Sequence, residues 1–249
     1  MNTTIIGNGT VGKALGECIG VEPLGPSNEM VSADVVIICV PTETVNGIHD
    51  QKQVEQALLR IESAKAVILR STVLPGTTER LQKTCETPIL FVPEFGFETT
   101  MVEDLRKPDM YIVGVTDKSK GLASIVLEAL PPAEVTHVVR ATSAEFAKYY
   151  TNIWGCVQVM LANSFYDWTM ARTGDEGIYT EAIEMAQKHP NMPHWGWRIF
   201  DQGFRGYGGK CLPKDIQAAL SQYHSPLWYC VETLNNELRG KEGQNEIYQ

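Results

Sequence analysis

The segment RGYGGKCLPKD, residues 205–215, places a cysteine between two lysines, after a run of glycines and before a proline. A thiol is nucleophilic only as the thiolate, and neighbouring positive charge favours that form. Lys210 and Lys214 flank Cys211, and the glycines would let a substrate approach the backbone closely. The segment therefore predicts a reactive Cys211. The other five cysteines lack this setting and are expected to be ordinary structural thiols.

A glycine turn near the start of the chain is a second chemical signal. The motif GNGTVG follows the β-rich run TTII and opens a helical pattern. Glycine lets the backbone turn sharply and approach a pyrophosphate, and the helix N-terminus offers free N–H groups to it. The turn therefore predicts a dinucleotide site. Its expected cofactor-binding residues are Gly7, Asn8, Gly9, Thr10, Val11 and Gly12.

The residue that would contact the cofactor ribose is less clear from the pattern. Glu22 is the acidic residue near the expected second strand, and it comes earlier than the usual interval of about 20 residues. Ser27 and Asn28 could replace it and would tolerate a 2′-phosphate. The sequence favours NAD as cofactor and leaves NADP open.

The elements that must position these residues alternate along the first part of the chain. Apolar runs such as ADVVIICV and KAVILR are typical of strands buried on both faces of a parallel sheet, and helical patterns separate them. Residues 1–138 are therefore predicted to form an α/β, Rossmann-type doubly wound parallel sheet. Residues 139–238 read as an all-helical domain and 239–249 as a polar tail. Thr142 and Glu145 are predicted to form a capping box at the first helix of that domain.

Composition limits the class of protein. The 249 residues are 43% hydrophobic with a net charge of −9, which fits a globular protein and disfavours nucleic-acid and membrane-surface partners. No leader-like segment and no apolar run of about 18 residues is seen. The six cysteines are scattered without metal-site spacing, so we expect free thiols, a reducing cytoplasm and no metal site.

Several motifs, in order, carry a resemblance to a known family. GYGGKCLPKD resembles the G-F-G-G-S-C-F-P-K-D motif of the UDP-glucose/GDP-mannose dehydrogenase family. CVPTE, STVLPGT, PEFGFETTMVEDLRKPDMYIVG, SAEFAKYYTN and WRIF resemble further family segments in the same order. The resemblance covers nearly the whole chain. It implies an NAD-binding Rossmann domain followed by a helical domain like that of 6-phosphogluconate dehydrogenase.

The resemblance also implies catalytic roles. Cys211 would be the nucleophile, Lys148 would stabilise oxyanions, and Asn152 would hold the reacting sugar. Asp215 would act with Lys148 through a water in proton transfer, and Glu94 would be the general base of the hydrolytic step.

Further contacts follow from the same motifs. Lys214 would be a secondary polar group near the thiol, and Arg198 would reach the substrate of a neighbouring subunit, which implies a homodimer. Cofactor contacts are implied at Val40, Pro41, Thr42, Ser71, Thr72 and Glu98. Substrate contacts are implied at Phe95, Gly96, Phe97, Arg198, Tyr207 and Gly208.

The activity that the resemblance implies is NAD-dependent oxidation of a nucleotide sugar, such as UDP-glucose, from primary alcohol to carboxylate. Two hydride transfers would pass through a thiohemiacetal and a thioester of Cys211. The chain departs from the family at Lys210 and Leu212, and it is expected to be a short form without the C-terminal UDP-binding domain. Two alternatives stay open. One is an inactive homologue that binds a dinucleotide or a protein, and the other is a single-hydride β-hydroxyacid dehydrogenase.

Overall fold

The computed structural model describes residues 1–192, 195–197, 199–201 and 203–240. The chain divides into two compact units. The first contains Met1–Glu43 and His49–Lys148, and the second contains Thr44–Ile48 and the chain from Tyr149 onward. Within the described residues, no helix is long and apolar enough to cross a membrane.

The chain up to Arg140 alternates short strands and helices. In order it forms β1 (Thr3–Ile6), α1 (Thr10–Ile19), β2 (Val31–Ser32), β3 (Val35–Ile38), β4 (Thr44–Val45), β5 (Ile48–His49), α2 (Lys52–Leu59), β6 (Ile61–Ser63), β7 (Ala66–Leu69), α3 (Thr77–Gln82), β8 (Ile89–Phe91), α4 (Met101–Arg106), β9 (Met110–Val115), α5 (Ser124–Ala129) and β10 (Val135–Arg140).

The main sheet of the first unit has six strands in the order β1-β3-β7-β8-β9-β10. The first four run parallel, but β9 pairs antiparallel with β8, and β10 runs parallel to β9. The fold is therefore the expected α/β Rossmann type, and its sheet is mixed, with β9 and β10 reversed relative to the first four strands. Buried apolar runs look alike in either direction, so the sequence pattern could not reveal the reversal.

The central strands of the main sheet are buried on both faces. Every residue of β3 and β7 is buried, and their alternate side chains contribute to different apolar clusters. Ile37 and Ile68 belong to the cluster that contains Leu15 of α1, whereas Ile38 and Leu69 belong to the cluster that contains Val54 of α2. Since successive side chains of a strand point to opposite faces, the sheet lies between these two layers.

The predicted second strand is reduced to one residue. Leu24 forms an isolated parallel bridge with Ile6, and its carbonyl accepts a hydrogen bond from the N–H of Gly7. The segment that follows, up to β2, is a loop rather than a helix. The first βαβ unit is thus shortened, and this loop lies next to the glycine turn.

The later part of the chain is mainly helical. It forms α6 (Ala141–Thr173), α7 (Glu176–Gln187), the hairpin strands β11 (Phe200–Asp201) and β12 (Phe204–Arg205), α8 (Leu212–Gln222) and α9 (Pro226–Leu238). The hairpin was not expected in an all-helical domain. The helices of the second unit pack around Cys156, Met160, Tyr207, Ile216 and Val231.

The start of α6 differs from the prediction. Thr142 and Glu145 both lie inside the helix, so they form no capping box. The carboxylate of Glu145 instead accepts hydrogen bonds from the backbone N–H of Gly76 at 2.6 Å and of Thr78 at 2.8 Å. Gly76 is the N-cap of α3. Glu145 therefore caps a helix distant in sequence, a pairing that no local motif could show.

Candidate active site

The glycine turn between β1 and α1 requires glycine at two positions. Gly7 has φ of 116°, and a Cβ there would lie 2.2 Å from the carbonyl oxygen of Cys39. A Cβ on Gly12 would lie 1.8 Å from the carbonyl oxygen of Gly7. Gly9, the N-cap of α1, has open space where its side chain would be. The turn therefore packs tightly against the protein and leaves room for a ligand beside the start of α1.

A cavity of about 680 Å³ adjoins the turn in the first unit. Gly7, Asn8 and Gly9 line one part of it, and Val40 and Pro41, which follow β3, line another. The cavity thus lies at the carboxyl ends of parallel strands, where dinucleotides bind in Rossmann folds. Thr10, Val11 and Gly12 form the first turn of α1 next to it.

Ser71 and Thr42 tie the ends of two neighbouring strands together. The Ser71 hydroxyl donates to the carbonyl of Val40 at 2.8 Å and accepts from the N–H of Val40 at 2.9 Å. The Thr42 hydroxyl donates to the carbonyl of Thr72 at 2.7 Å. These predicted cofactor residues therefore come together and fix the wall of the cavity. Glu98 lies elsewhere, in the exposed turn before α4.

Glu94 is held by several donors at the end of β8. Its carboxylate forms an ion pair with Arg70 and accepts hydrogen bonds from the N–H groups of Phe95 at 2.8 Å and Gly96 at 2.6 Å. The Glu94 side chain is 14% exposed, whereas that of Arg70 is 1% exposed. The candidate base is therefore fixed in place and still reachable by water.

Arg70 was not among the residues predicted from the sequence. Arg70 directly follows the apolar strand β7. A charged residue at the end of a buried strand was the sequence signal that could have identified it. Burial is the largest influence and lowers the pKa of Arg70, but Glu94, Cys39 and Tyr111 together outweigh it and leave the pKa raised. Two of its nitrogens, Nε and Nη1, have no hydrogen-bond partner among the described residues.

A second cavity of the first unit surrounds this ion pair. Its volume is about 420 Å³, and Arg70, Glu94, Phe95, Gly96 and Phe97 are among its lining residues. The predicted base and three predicted substrate residues therefore share one cavity.

Lys148 contacts one member of the same group. The ammonium of Lys148, which is buried, lies 5.1 Å from the centre of the Phe95 ring. A cation at this distance over an aromatic face is attracted to it. Lys148 is thereby positioned beside the segment that follows β8.

Cys211 differs from the buried cysteines. It is exposed and is the N-cap of α8, which has Pro213 in its first turn. Burial raises the pKa of Cys39 to about 12 and raises that of Cys156 well above its ordinary value. Burial keeps those two thiols unreactive, while Cys211 is exposed at the N-terminus of α8.

The carboxylate of Asp215 binds two other predicted catalytic residues of the second unit. Its fully buried carboxylate accepts hydrogen bonds from Asn152 Nδ2 at 2.5 Å and from Lys214 Nζ at 2.5 Å. The family resemblance predicts a water-mediated link to Lys148 for Asp215, and a position near the thiol for Lys214. Asn152 and Lys214 are hydrogen-bonded to Asp215, and the water-mediated link to Lys148 stays a prediction.

The side chain of Tyr207, which was predicted to contact the substrate, lies in the apolar core of the second unit. The ring is 1% exposed, and its hydroxyl donates to Glu232 at 2.7 Å. The N–H of Tyr207 donates to Asn235 Oδ1 at 2.7 Å. Tyr207 therefore anchors the cysteine loop to α9. Gly208 follows in the loop and is partly exposed, and Arg198 lies outside the described residues.

The fold, the glycine turn and the cavity define a Rossmann-type dinucleotide-binding protein with a helical second part. Residues 25–130 match the NAD binding domain of the UDP-glucose/GDP-mannose dehydrogenase family, and residues 142–237 match its central domain. The chain belongs to this family, and its cofactor is NAD.

Curated relatives support this assignment. The chain is 31% identical over 218 residues to a UDP-N-acetyl-D-mannosamine dehydrogenase of Methanocaldococcus jannaschii, covering 82% of this chain and 46% of the relative. It is 29% identical over 222 residues to a GDP-mannose 6-dehydrogenase of Azotobacter vinelandii, covering 80% and 48%. The chain thus spans about half the length of the curated relatives it matches.

A solved structure shows the same fold. The UDP-glucose dehydrogenase of Pyrobaculum islandicum superposes with a TM-score of 0.78 at 20% identity, covering 94% of this chain and 68% of that one. This chain and the Pyrobaculum islandicum protein therefore share a Rossmann-type fold followed by helices.

Proposed function

We propose that this chain catalyses the NAD-dependent oxidation of a nucleotide-sugar primary alcohol to a carboxylate, through a covalent intermediate on Cys211. The observation that carries the proposal is the exposed Cys211 at the N-terminus of α8, in a motif shared with the family. Relatives named for UDP-N-acetyl-D-mannosamine and GDP-mannose support a nucleotide sugar as substrate, with UDP-glucose in the same class.

The proposed reaction has four steps. The alcohol loses a proton and a hydride and becomes an aldehyde. The thiolate of Cys211 adds to the aldehyde carbon, giving a thiohemiacetal. Loss of a second hydride leaves a thioester, and water then cleaves its carbon–sulfur bond to release the carboxylate and the thiol. NAD accepts the hydride in each of the two oxidations.

Charge and hydrogen bonding support the assigned roles. Lys148 is proposed to stabilise oxyanions, and Asn152 to hold the sugar, with Asp215 and Lys214 fixing its position. Glu94 is proposed as the base that activates water, since Arg70 and two backbone N–H groups hold it in one orientation.

A homodimer is the proposed assembly, formed through an exposed apolar face of α6. Large side chains at helical spacing remain exposed there, while Cys156 and Met160 of the same helix are buried. The exposed residues are Tyr150, Trp154, Leu161, Phe165 and Trp168. A second copy would cover them. The six free cysteines support a reducing, cytoplasmic location.

The test is a turnover assay with NAD and a panel of UDP- and GDP-linked sugars, including UDP-glucose, UDP-N-acetyl-D-mannosamine and GDP-mannose. The proposal expects two reduced cofactors per uronate formed. It also expects loss of turnover in Cys211→Ala and retention in Cys230→Ala, a matched control because Cys230 is also exposed.

Each other result points to an alternative. One reduced cofactor per product, with turnover surviving Cys211→Ala, would show a single-hydride dehydrogenase. Cofactor binding without turnover on any sugar would show a binding module. In Glu94→Gln, the proposal expects slow hydrolysis and a sugar adduct on Cys211, detectable by intact-protein mass spectrometry.

A further inference from the structure

The loop that follows Leu24 forms one wall of the dinucleotide cavity. Gly25, Pro26, Ser27 and Asn28 line the same cavity as the glycine turn. A Cβ on Gly25 would lie 3.0 Å from Asn8 Nδ2, so the loop lies directly against the turn. In Rossmann folds the segment after the second strand meets the ribose that carries the 2′-hydroxyl or 2′-phosphate. This loop therefore occupies the position that distinguishes the two cofactors.

Arg60, at the end of α2, holds this loop in place. Its Nε donates to the carbonyl of Glu29 at 3.1 Å, its Nη1 to the carbonyl of Gly25 at 3.1 Å, and its Nη2 to the Ser27 hydroxyl at 3.2 Å. Arg60 is 8% exposed and lines the cavity. A guanidinium has five N–H donors, so the three bonds to the loop leave two N–H groups for a ligand.

The hydroxyl of Ser27 can also donate a hydrogen bond to a ligand. Its oxygen accepts from the N–H of Glu29 at 3.0 Å and from Arg60 Nη2. A serine oxygen has two acceptor positions and one proton. Both acceptor positions are used, so the proton is what Ser27 offers to a ligand. This part of the cavity wall offers donors to an incoming group.

The charge of the cavity wall agrees with this. Among the described residues that line the cavity, Arg60 is the charged one and none is acidic. Glu22 and Glu29, the acidic residues on either side of this part of the loop, are exposed, and neither lines the cavity. The carboxylate that usually accepts hydrogen bonds from the ribose of NAD, and that repels a 2′-phosphate, is therefore replaced by a cation and a hydroxyl donor.

We propose that Arg60 and Ser27 form a subsite for the 2′-phosphate of NADP, so that the chain binds NADP as well as NAD. A phosphate ester supplies acceptor oxygens and negative charge, which match the donors and the guanidinium of this wall. The proposal rests on dinucleotide binding in this cavity and does not require the dehydrogenase activity proposed above.

The test is calorimetric titration of the whole chain with NAD and NADP, and with AMP and adenosine 2′,5′-bisphosphate. We expect a Kd for NADP within about tenfold of that for NAD, and the bisphosphate to bind at least about tenfold more tightly than AMP, as charge-assisted hydrogen bonds supply. Inorganic phosphate at the same concentration should not displace NADP.

Two variants separate phosphate binding from loop anchoring. Arg60→Gln should raise the Kd for NADP at least about tenfold and change that for NAD less than about threefold. Ser27→Asp changes an exposed position and leaves Arg60 in place. It should weaken the binding of NADP but not of NAD, because the new carboxylate repels the 2′-phosphate. Arg106→Gln, which removes an exposed arginine of the same unit, should leave both affinities unchanged.

Three results would overturn the proposal. One is an affinity for NADP more than about tenfold below that for NAD. Another is an equal loss of affinity for both cofactors in the two variants. The third is displacement of NADP by inorganic phosphate. Failure of both dinucleotides to bind would remove the cofactor site itself, and with it the proposed function. A chain that binds NAD alone would contradict only the 2′-phosphate subsite.

Discussion

The side-chain amide of Asn152 donates a hydrogen bond of 2.5 Å to the carboxylate of Asp215, a residue 63 positions later in the chain. Lys214 donates to the other oxygen of the same carboxylate. Three residues predicted to be catalytic therefore form one cluster in the second unit, in which Asn152 and Asp215 are buried. Asp215 is the common acceptor that fixes the two donors.

Replacing Asp215 tests this cluster. Asp215→Ala leaves the Lys214 ammonium and the Asn152 amide without their acceptor, and breaking a buried ion pair costs about 3–5 kcal/mol. Asp215→Asn keeps the shape and should cost less, about 1–3 kcal/mol. Urea denaturation measures both losses, with Asp109→Ala as an exposed control. A loss below about 1 kcal/mol for Asp215→Ala would contradict the cluster.

Glu145 gives a prediction with a defined pH dependence. Burial raises the pKa of Glu145 above its ordinary value of 4.5, with hydrogen bonds from Thr78 and Gly76 opposing the shift. The folded state therefore holds the proton more tightly than the unfolded state. The contribution of this group to stability is then complete below pH 4.5 and is lost as the pH rises through the folded pKa.

Glu145→Gln replaces the titrating carboxyl with a neutral amide. The NH2 group of that amide would face a backbone N–H at the N-terminus of α3, so two donors would meet. We expect the variant to be less stable by about 1–3 kcal/mol, with the gap to the wild type narrowing from pH 4 to pH 7. Unfolding free energies across this range, with Glu103→Gln as an exposed control in another helix, check it. A gap that widens with pH would mean that the hydrogen bonds outweigh burial.

Tyr207→Phe separates anchoring from substrate contact. The variant loses the buried hydrogen bond to Glu232, so the free energy of unfolding should fall by about 1–3 kcal/mol. Because the hydroxyl points into the core, KM for a nucleotide sugar should change less than about twofold. Thermal unfolding and steady-state kinetics measure the two effects. A large rise in KM with unchanged stability would instead support a substrate contact through the Tyr207 hydroxyl.

Alkylation should distinguish the cysteines. Burial raises the pKa of Cys39 and Cys156, so neither should react with iodoacetamide in the native protein at pH 7.5. Cys211 and Cys230 are exposed and should both be accessible. Peptide mass spectrometry measures the rate at each site. A nucleotide sugar should protect Cys211 but not Cys230, and equal rates at these two sites with and without the sugar would count against the proposed nucleophile.

Arg70 is proposed to position the candidate base. Arg70→Met removes the ion pair to Glu94 and should lower kcat at least about tenfold, within the range that general-base catalysis supplies. The thioester on Cys211 should accumulate, as seen by intact-protein mass spectrometry. Arg70→Lys keeps a charge and should recover part of the rate. Loss of rate without an accumulated adduct would place Arg70 outside the hydrolytic step.

Much of the first unit could be predicted from local pattern. The glycine turn appeared where a strand gives way to a helix, and steric contacts at Gly7 and Gly12 explain why glycine stands there. Apolar runs located the buried strands. The reversal of β9 and the single-residue bridge at Leu24 could not be predicted, because the direction and pairing of strands depend on the path of the chain between them.

The sequence by itself determined the family, the Rossmann fold and the identity of the chemical groups, since ordered motifs and short-range periodicity are local properties of the chain. The tertiary structure decided which of those groups meet. The pairing of Arg70 with Glu94, the cluster around Asp215 and the capping of α3 by Glu145 each join distant residues. Such contacts depend on packing and burial, which no short stretch of sequence encodes.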